Sequence, residues 1–210
     1  MDELLAIKQE YISQGQVFLF YQEYQNDPVS SENQKFKLEK FKYYEEKDII
    51  NKDFRTFITI DRSYSLEKTA DFTAFVVVSV DRENNWYVRM AERFKGTEKD
   101  IIKKIFDLHA YFSPELFGIE QKAFKYTIKP ALDDEMHKTN TFFRCEELKD
   151  LGRGKNVRIE GLIPRFEAGS ILMKRDQTDL VDELIKFPKA LHDDLIDSLA
   201  FQLAFAFASV

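Results

Sequence analysis

The chain is poor in the residues that define several functional classes. One cysteine in 210 residues, Cys145, excludes an intrachain disulfide framework. Three scattered histidines, His109, His137 and His192, cannot join that one thiol in a zinc-type cluster. No long uninterrupted apolar run is present to span a membrane, and no charged, apolar and small-residue leader is visible. These absences lead to the expectation of a protein of a reducing, cytoplasmic compartment. There is no internal repeat. The stretch LGRGKN lacks the strand, the GxxxxGK[ST] spacing and the following helix of a nucleotide loop.

The chain does have material for a core: 44% of its residues are hydrophobic and 14% aromatic. That is enough for one substantial domain with an appendage. Net charge is −6, at first sight unfavourable for a nucleic-acid partner. Yet residues 149 to 175 hold seven basic residues against three acids, a local +4 that leaves −10 elsewhere. Such a segment is either a solvated face or a phosphate-tracking surface beside a metal site.

Residues 2 to 14 read as a short amphipathic helix, and VFLFYQEY, residues 17 to 24, as an apolar strand or buried edge. Residues 26 to 53, charged and aromatic without a long apolar face, suit a linker or packing arm, so the domain is expected to begin near residue 54. Strands are expected at 56 to 61, 71 to 81 and 86 to 94, joined by short turns as an antiparallel meander. Thr97 caps an expected helix with apolar positions Ile101, Ile102, Ile105, Phe106 and Leu108. Then come a strand at 116 to 120, a helix from 124 to 137 interrupted near Pro130, a strand at 141 to 147, a Gly-rich basic turn, a helix at 179 to 187 and a terminal helix at 192 to 207. The order is α/β and layered.

Acidic residues mark the ends of these elements. Asp61 ends TFITID, Glu120 ends LFGIE, and Asp193 and Asp194 open the last helix. If the first and fourth strands are neighbours, Asp61 and Glu120 emerge side by side, and clustered carboxylates repel unless a cation neutralises them. Oxygen ligands with few histidines favour Mg²⁺ or Mn²⁺ over zinc. Two such ions about 3.5–4 Å apart can activate water and stabilise the leaving oxygen of a phosphodiester. Taken singly, each acid is also explained as a turn former or helix start.

FITIDRSYSLEKTADFTAFVVVSVD, LFGIEQKAF, KNVRIEGLIPRFEAGSI and FPKALHDDLIDSLA, in that order and spacing, resemble the nuclease domain of bacteriophage large terminase subunits over roughly residues 54 to 207. FLFYQEYQNDPV resembles the sequence that closes that family's ATPase domain. The resemblance implies an RNase H-like fold, a central mixed β-sheet flanked by helices, with two Mg²⁺ or Mn²⁺ ions held by acids. It implies an endonuclease that cuts concatemeric double-stranded viral DNA in the host cytoplasm during genome packaging. Portal and small terminase subunit are partners of the full-length family, whose motor ring leaves a monomer open for the nuclease part. With no Walker-type motif, the chain is expected to be the nuclease half, with residues 1 to 53 as linker and end of the motor region.

By the same resemblance Asp61 bridges the metals, Glu120 supplies the second motif, and Asp193 and Asp194 the third. Adjacent helical residues point about 100° apart, and Asp194 is favoured as the closer ligand. Asp71 is an auxiliary ligand or a strand-initiating turn residue. Asp197 is expected to be a solvated helix residue and His192 a capping or packing residue. Lys155, Arg158 and Arg165, on a hairpin-like segment with glycines at its turns, are expected to neutralise DNA phosphates beside the metals. The rival readings are a junction resolvase or RNA–DNA hybrid nuclease of related fold, and a docking module that binds portal or DNA without catalysis.

Overall fold

The computed structural model describes residues 34–62, 72–121, 128–149 and 154–207, together with residues 4, 6, 7, 10, 11, 20 and 23. Strand β1 is Lys42–Tyr43 and helix α1 is Glu46–Ile49, followed by β2 (Arg55–Arg62), β3 (Phe72–Val80) and β4 (Trp86–Lys95). Helix α2 (Glu98–Phe112), β5 (Leu116–Glu120), α3 (Lys129–Thr139) and β6 (Cys145–Leu148) come next. Two short helices, α4 (Lys155–Glu160) and α5 (Ile163–Glu167), precede β7 (Ile171–Met173), α6 (Thr178–Lys186) and α7 (Asp194–Phe201). The strands form one mixed seven-stranded sheet in the order β1-β7-β4-β3-β2-β5-β6.

The expected meander is present: β2 pairs antiparallel with β3, and β3 with β4. Its second turn closes between the Asp81 and Asn85 backbones, with Asn84 at φ 64°. Asparagine tolerates that left-handed conformation. β5 joins the other side of β2 in parallel, through helix α2, with Ile60 opposite Ile119. Thr97 and Asp100 cap α2 reciprocally: the Asp100 amide donates to Thr97 Oγ1 at 3.3 Å, and the Thr97 amide to Asp100 Oδ2 at 2.9 Å.

Both faces of the sheet are covered, and this explains the nearly unbroken apolar run of β3. On one face Phe57, Val76, Val78, Trp86 and Val88 pack against Leu180, Leu184, Leu195 and Leu199 of α6 and α7. On the other, Ile58, Ile60, Phe75 and Val77 pack against Ile101 and Ile105 of α2 and Leu132 of α3. Period-two alternation along β2 therefore sends Phe57, Thr59 and Asp61 toward α7, and Ile58 and Ile60 toward α2.

Several elements differ from the sequence expectation. Within the expected strand at 17 to 24, Phe20 and Glu23 are helical, and Phe20 is buried in the α6/α7 core; a short apolar run serves a buried helix as well as a strand. Leu4, Ala6, Ile7, Glu10 and Tyr11 are helical, and the rest of the expected 2 to 14 helix lies outside the described residues. Pro130 lies in the first turn of α3, where no amide hydrogen is needed, and residues 124 to 127 of the expected helix lie outside the described residues. The hairpin-like segment is instead two short helices, α4 after Gly154 (φ 75°) and α5 with Pro164 in its first turn. β7, unforeseen, pairs in parallel with β4 and β1. The terminal helix ends at Phe201 and tightens to a 3₁₀ turn over Gln202–Ala204.

Residues ahead of 54 also enter the core. β1 extends the sheet, and Phe36 packs edge-on against Phe166 and Phe187 at centroid distances of 5.4 and 5.8 Å. Replacing Phe36 by Ala is expected to lower unfolding stability by about 3–5 kcal/mol in urea melts. A loss under about 1 kcal/mol would show these residues to be an appendage.

Candidate active site

Asp61 is the next-to-last residue of β2, one position beyond the Ile60–Ile119 rung, and Glu120 is the last residue of β5. Neighbouring parallel strands about 4.8 Å apart thus deliver these two carboxylates to the same sheet end. α7 brings the third group. Asp194 and Asp197, three residues apart, share one helix face, and both act electrostatically on Asp61. Burial, and then the negative charge of Asp197, push the Asp61 carboxyl up to about 7; Asp194 and Glu120 act in the same direction, while Lys155 opposes them.

The rotation of α7 is set by a buried polar hub two residues before Asp61. The Thr59 hydroxyl donates to the Ser198 carbonyl at 2.8 Å, and accepts from Ser198 Oγ at 3.0 Å and Gln202 Nε2 at 3.1 Å. That uses the donor and both acceptor positions of the hydroxyl. Gln202 Nε2 also donates to the Val76 carbonyl at 3.0 Å. Ser198 directly follows Asp197, so the hub keeps Asp197 turned toward the sheet end that carries Asp61.

The basic residues of α4 close the site. Lys155 Nζ lies 2.7 Å from Asp193 Oδ1 and 3.5 Å from Asp197 Oδ2. Arg158 clasps Asp197 with one edge of its guanidinium, Nε donating to Oδ1 at 2.8 Å and Nη2 to Oδ2 at 3.0 Å, and its Cζ sits 3.9 Å from the Phe201 ring centre. Burial works against the Lys155 charge, but Asp193, Asp197 and Asp61 outweigh it and hold the ammonium above its ordinary range. Asp197 is raised by burial, against the pull of Lys155 and Arg158.

These placements correct three expectations. Asp197 is not solvated: it is 4% exposed, because the apolar positions Leu195, Ile196 and Leu199 all around the first turns of α7 are buried too. Arg158 is paired with that carboxylate. Arg165 is not brought to the acids at all: it stacks 4.3 Å from the Trp86 ring and donates to the Asn84 carbonyl, at the opposite end of the sheet. Lys155 does stand among the acids, half-buried. His192 is exposed ahead of α7, where it neither packs nor caps. Asp71 lies outside the described residues.

The donor set is made of hard carboxylate oxygens, the chemistry suited to Mg²⁺ or Mn²⁺. Among the described residues no three histidine, cysteine or acidic side chains are grouped closely enough to hold a metal ion as they stand. Asp193 and Asp197 are turned to Lys155 and Arg158 instead. The half-buried, negatively surrounded Asp61 nonetheless fits a cation, since a positive ion beside it offsets both its partial burial and its neighbours. Thr59 and Gln202 are polar residues inside apolar runs, and that position is the only signal of their role in the sequence.

No protein-family model and no curated protein sequence matches the chain. Solved structures do. The large terminase nuclease from thermophilic phage G20c has a TM-score of 0.54 at 21% identity, over 73% of this chain and 83% of that one. The human cytomegalovirus terminase nuclease domain gives 0.55 at 15% identity, over 75% and 86%. The same viral domain, Mn-soaked and inhibitor-bound, gives 0.50 at 14% identity, over 72% and 83%.

The raised carboxyl of Asp61 has a consequence for stability. With its folded pKa of about 7 above the ordinary 3.8, the native state holds a proton that the unfolded state has released; stability from this group is full below about 4 and declines as pH rises through 7. In EDTA at pH 8, Asp61→Asn is therefore expected to melt a few degrees higher than the parent, about 1–2 kcal/mol, and to show little gain at pH 4. An equal gain at both pH values would contradict the charge crowding. The chain has the RNase H-like fold of the terminase nuclease domains.

Proposed function

We propose that the chain is a divalent-metal-dependent endonuclease that cuts double-stranded DNA, acting on concatemeric viral genomes during packaging in the host cytoplasm. The observation that carries this reading is the half-buried Asp61 beside Glu120 at one sheet end, with Asp194 and Asp197 also acting on its charge. The fold shared with terminase nuclease domains, one of them Mn-soaked, supports it. Residues 1 to 53 are proposed to lead in from a motor region, and the portal and small terminase subunit to be partners of the whole assembly.

Asp61, Glu120 and Asp194 are the residues proposed to hold two Mg²⁺ or Mn²⁺ ions, with Asp193 beside them and Asp71 as an auxiliary ligand. Bound divalent ions activate water and offset charge on the leaving oxygen of a phosphodiester. The chain's own residues supply the frame. Rigid strand ends fix Asp61 and Glu120, while the Thr59 hub fixes α7. Lys155, paired with Asp193 at the cluster, is proposed to meet a DNA phosphate. Arg158 acts indirectly by holding Asp197. Contacts of this kind read the backbone and not the bases, so cutting without base preference is expected.

Supercoiled plasmid incubated with the protein in EDTA, Mg²⁺ and Mn²⁺ tests the reading. Metal-dependent nicking and linearisation are expected, reduced on the order of a hundredfold or more in Asp61→Ala and Asp194→Ala. Cleavage undiminished in Asp61→Ala, with contaminating nuclease excluded, would overturn the assignment. Faster cutting of branched or hybrid substrates than of linear duplex would move it to a resolvase or hybrid nuclease.

A further inference from the structure

Helix α7 begins at an aspartate that does not cap it. Asp193 holds the N-cap position at φ −141°, yet its side chain accepts no amide hydrogen of the first turn. An N-cap aspartate ordinarily takes the amide of the second or third helical residue. Here the amide of the third, Ile196, donates to Glu183 Oε2 at 2.8 Å, and Glu183 belongs to α6.

Glu183 is itself tightly held. It is 1% exposed, and its other oxygen, Oε1, accepts from Arg93 Nη2 at 2.5 Å. Arg93 lies on β4 opposite Ala74, which lies opposite Asp61 on β2. Asp61, Ala74 and Arg93 therefore form one rung across three strands. Residues directly opposite one another project from the same face, the face that α7 covers. Arg93 Nη1 is additionally 3.8 Å from Asp179 Oδ2, at the start of α6. The rung that carries Asp61 is thus linked through Arg93 and Glu183 to the first turn of α7, the turn that carries the third acidic motif.

The carboxylate of Asp193, relieved of capping, points to Lys155 at 2.7 Å. Without Glu183 the Ile196 amide would lose its acceptor, and Asp193, at the N-cap, is of the residue type and position that takes such an amide.

We propose that Glu183 is a positioning residue: by capping α7 from a neighbouring helix it keeps the Asp193 side chain out of the capping role and fixes the turn bearing Asp193, Asp194 and Asp197 against the Asp61 rung. This rests on the reading of that cluster as a divalent-cation site. Glu183 itself does not ligate; it acts through the α7 backbone. Partners at this remove typically change metal affinity by about 10–100-fold when lost.

Mn²⁺ titration followed by electron paramagnetic resonance, at a temperature well below unfolding, tests the assignment, with melting curves in EDTA taken alongside. The parent protein is expected to bind Mn²⁺ and Asp61→Ala to lose that binding. Glu183→Ala is expected to bind at least about tenfold more weakly, and Glu183→Gln, which keeps an oxygen acceptor for the Ile196 amide, to recover most of the loss. Arg93→Gln, which withdraws the partner that orients the carboxylate, is a second variant expected to weaken binding. Leu132→Ala, on the opposite face of the sheet, controls for lost stability and is expected to melt lower with unchanged Mn²⁺ affinity. Parent-like affinity in both Glu183→Ala and Arg93→Gln would overturn the positioning role and leave the cation site standing. The positioning role is equally overturned if Leu132→Ala loses as much affinity as Glu183→Ala. No Mn²⁺ binding by the folded parent would overturn the cation site and the positioning role together.

Discussion

Carboxylates gathered at one end of a sheet repel each other, and folding must work against that repulsion. Asp61 shows the cost most plainly: burial and the charges of Asp197, Asp194 and Glu120 together make it reluctant to ionise. A chain that needed only stability would place apolar or neutral groups there. This one surrounds the cluster with compensating contacts, Lys155 between Asp193 and Asp197 and Arg158 across Asp197. Ion pairs to a buried group such as Asp197 contribute little net stability, but removal of one partner leaves an uncompensated charge. Their role here is to hold strongly charged groups in a fixed arrangement.

The surrounding architecture supplies the rigidity. β2 lies between β3 and β5, so Asp61 leaves a strand paired on both sides. α7 is held to the sheet by two separate polar attachments, the Thr59 hub near its end and Glu183 at its start. Apolar packing of Leu195 and Leu199 supplies most of the burial, but it would tolerate small rotations of the helix. Directional hydrogen bonds to Thr59 would not, and that is why polar groups occur inside an otherwise apolar interface.

The sequence displayed the sheet half of the site clearly. TFITID and LFGIE end in acids after β-branched, apolar runs, and the condition that their strands be neighbours, which the sequence left open, is met by β2 and β5. The meander and α2 were equally legible, because turn residues and the Thr97 cap act locally. The α7 half was legible only as a charged start. That Asp197 is buried depends on α4 bringing Arg158 across 39 positions of sequence, and no local signal encodes such a pairing. The same applies to Arg165, whose basic charge suggested phosphate while its real partner, Trp86, lies far off in sequence. Glycines and a proline in the 152 to 169 segment suggested a hairpin, yet they start and separate two short helices. The apolar run at 17 to 24 was ambiguous between strand and helix for the reason that short runs generally are.

Anomalous diffraction from crystals soaked in Mn²⁺ would decide whether the cluster around Asp61 is a cation site. Manganese density is expected in direct contact with the Asp61 carboxylate, at oxygen–metal distances of about 2.0–2.4 Å, with Glu120 or Asp194 as a further ligand. Lys155 is expected to move away from Asp193 as the ion takes over the compensating charge. Density confined to other surface carboxylates, with Lys155 still paired to Asp193 and none beside Asp61, would contradict that assignment.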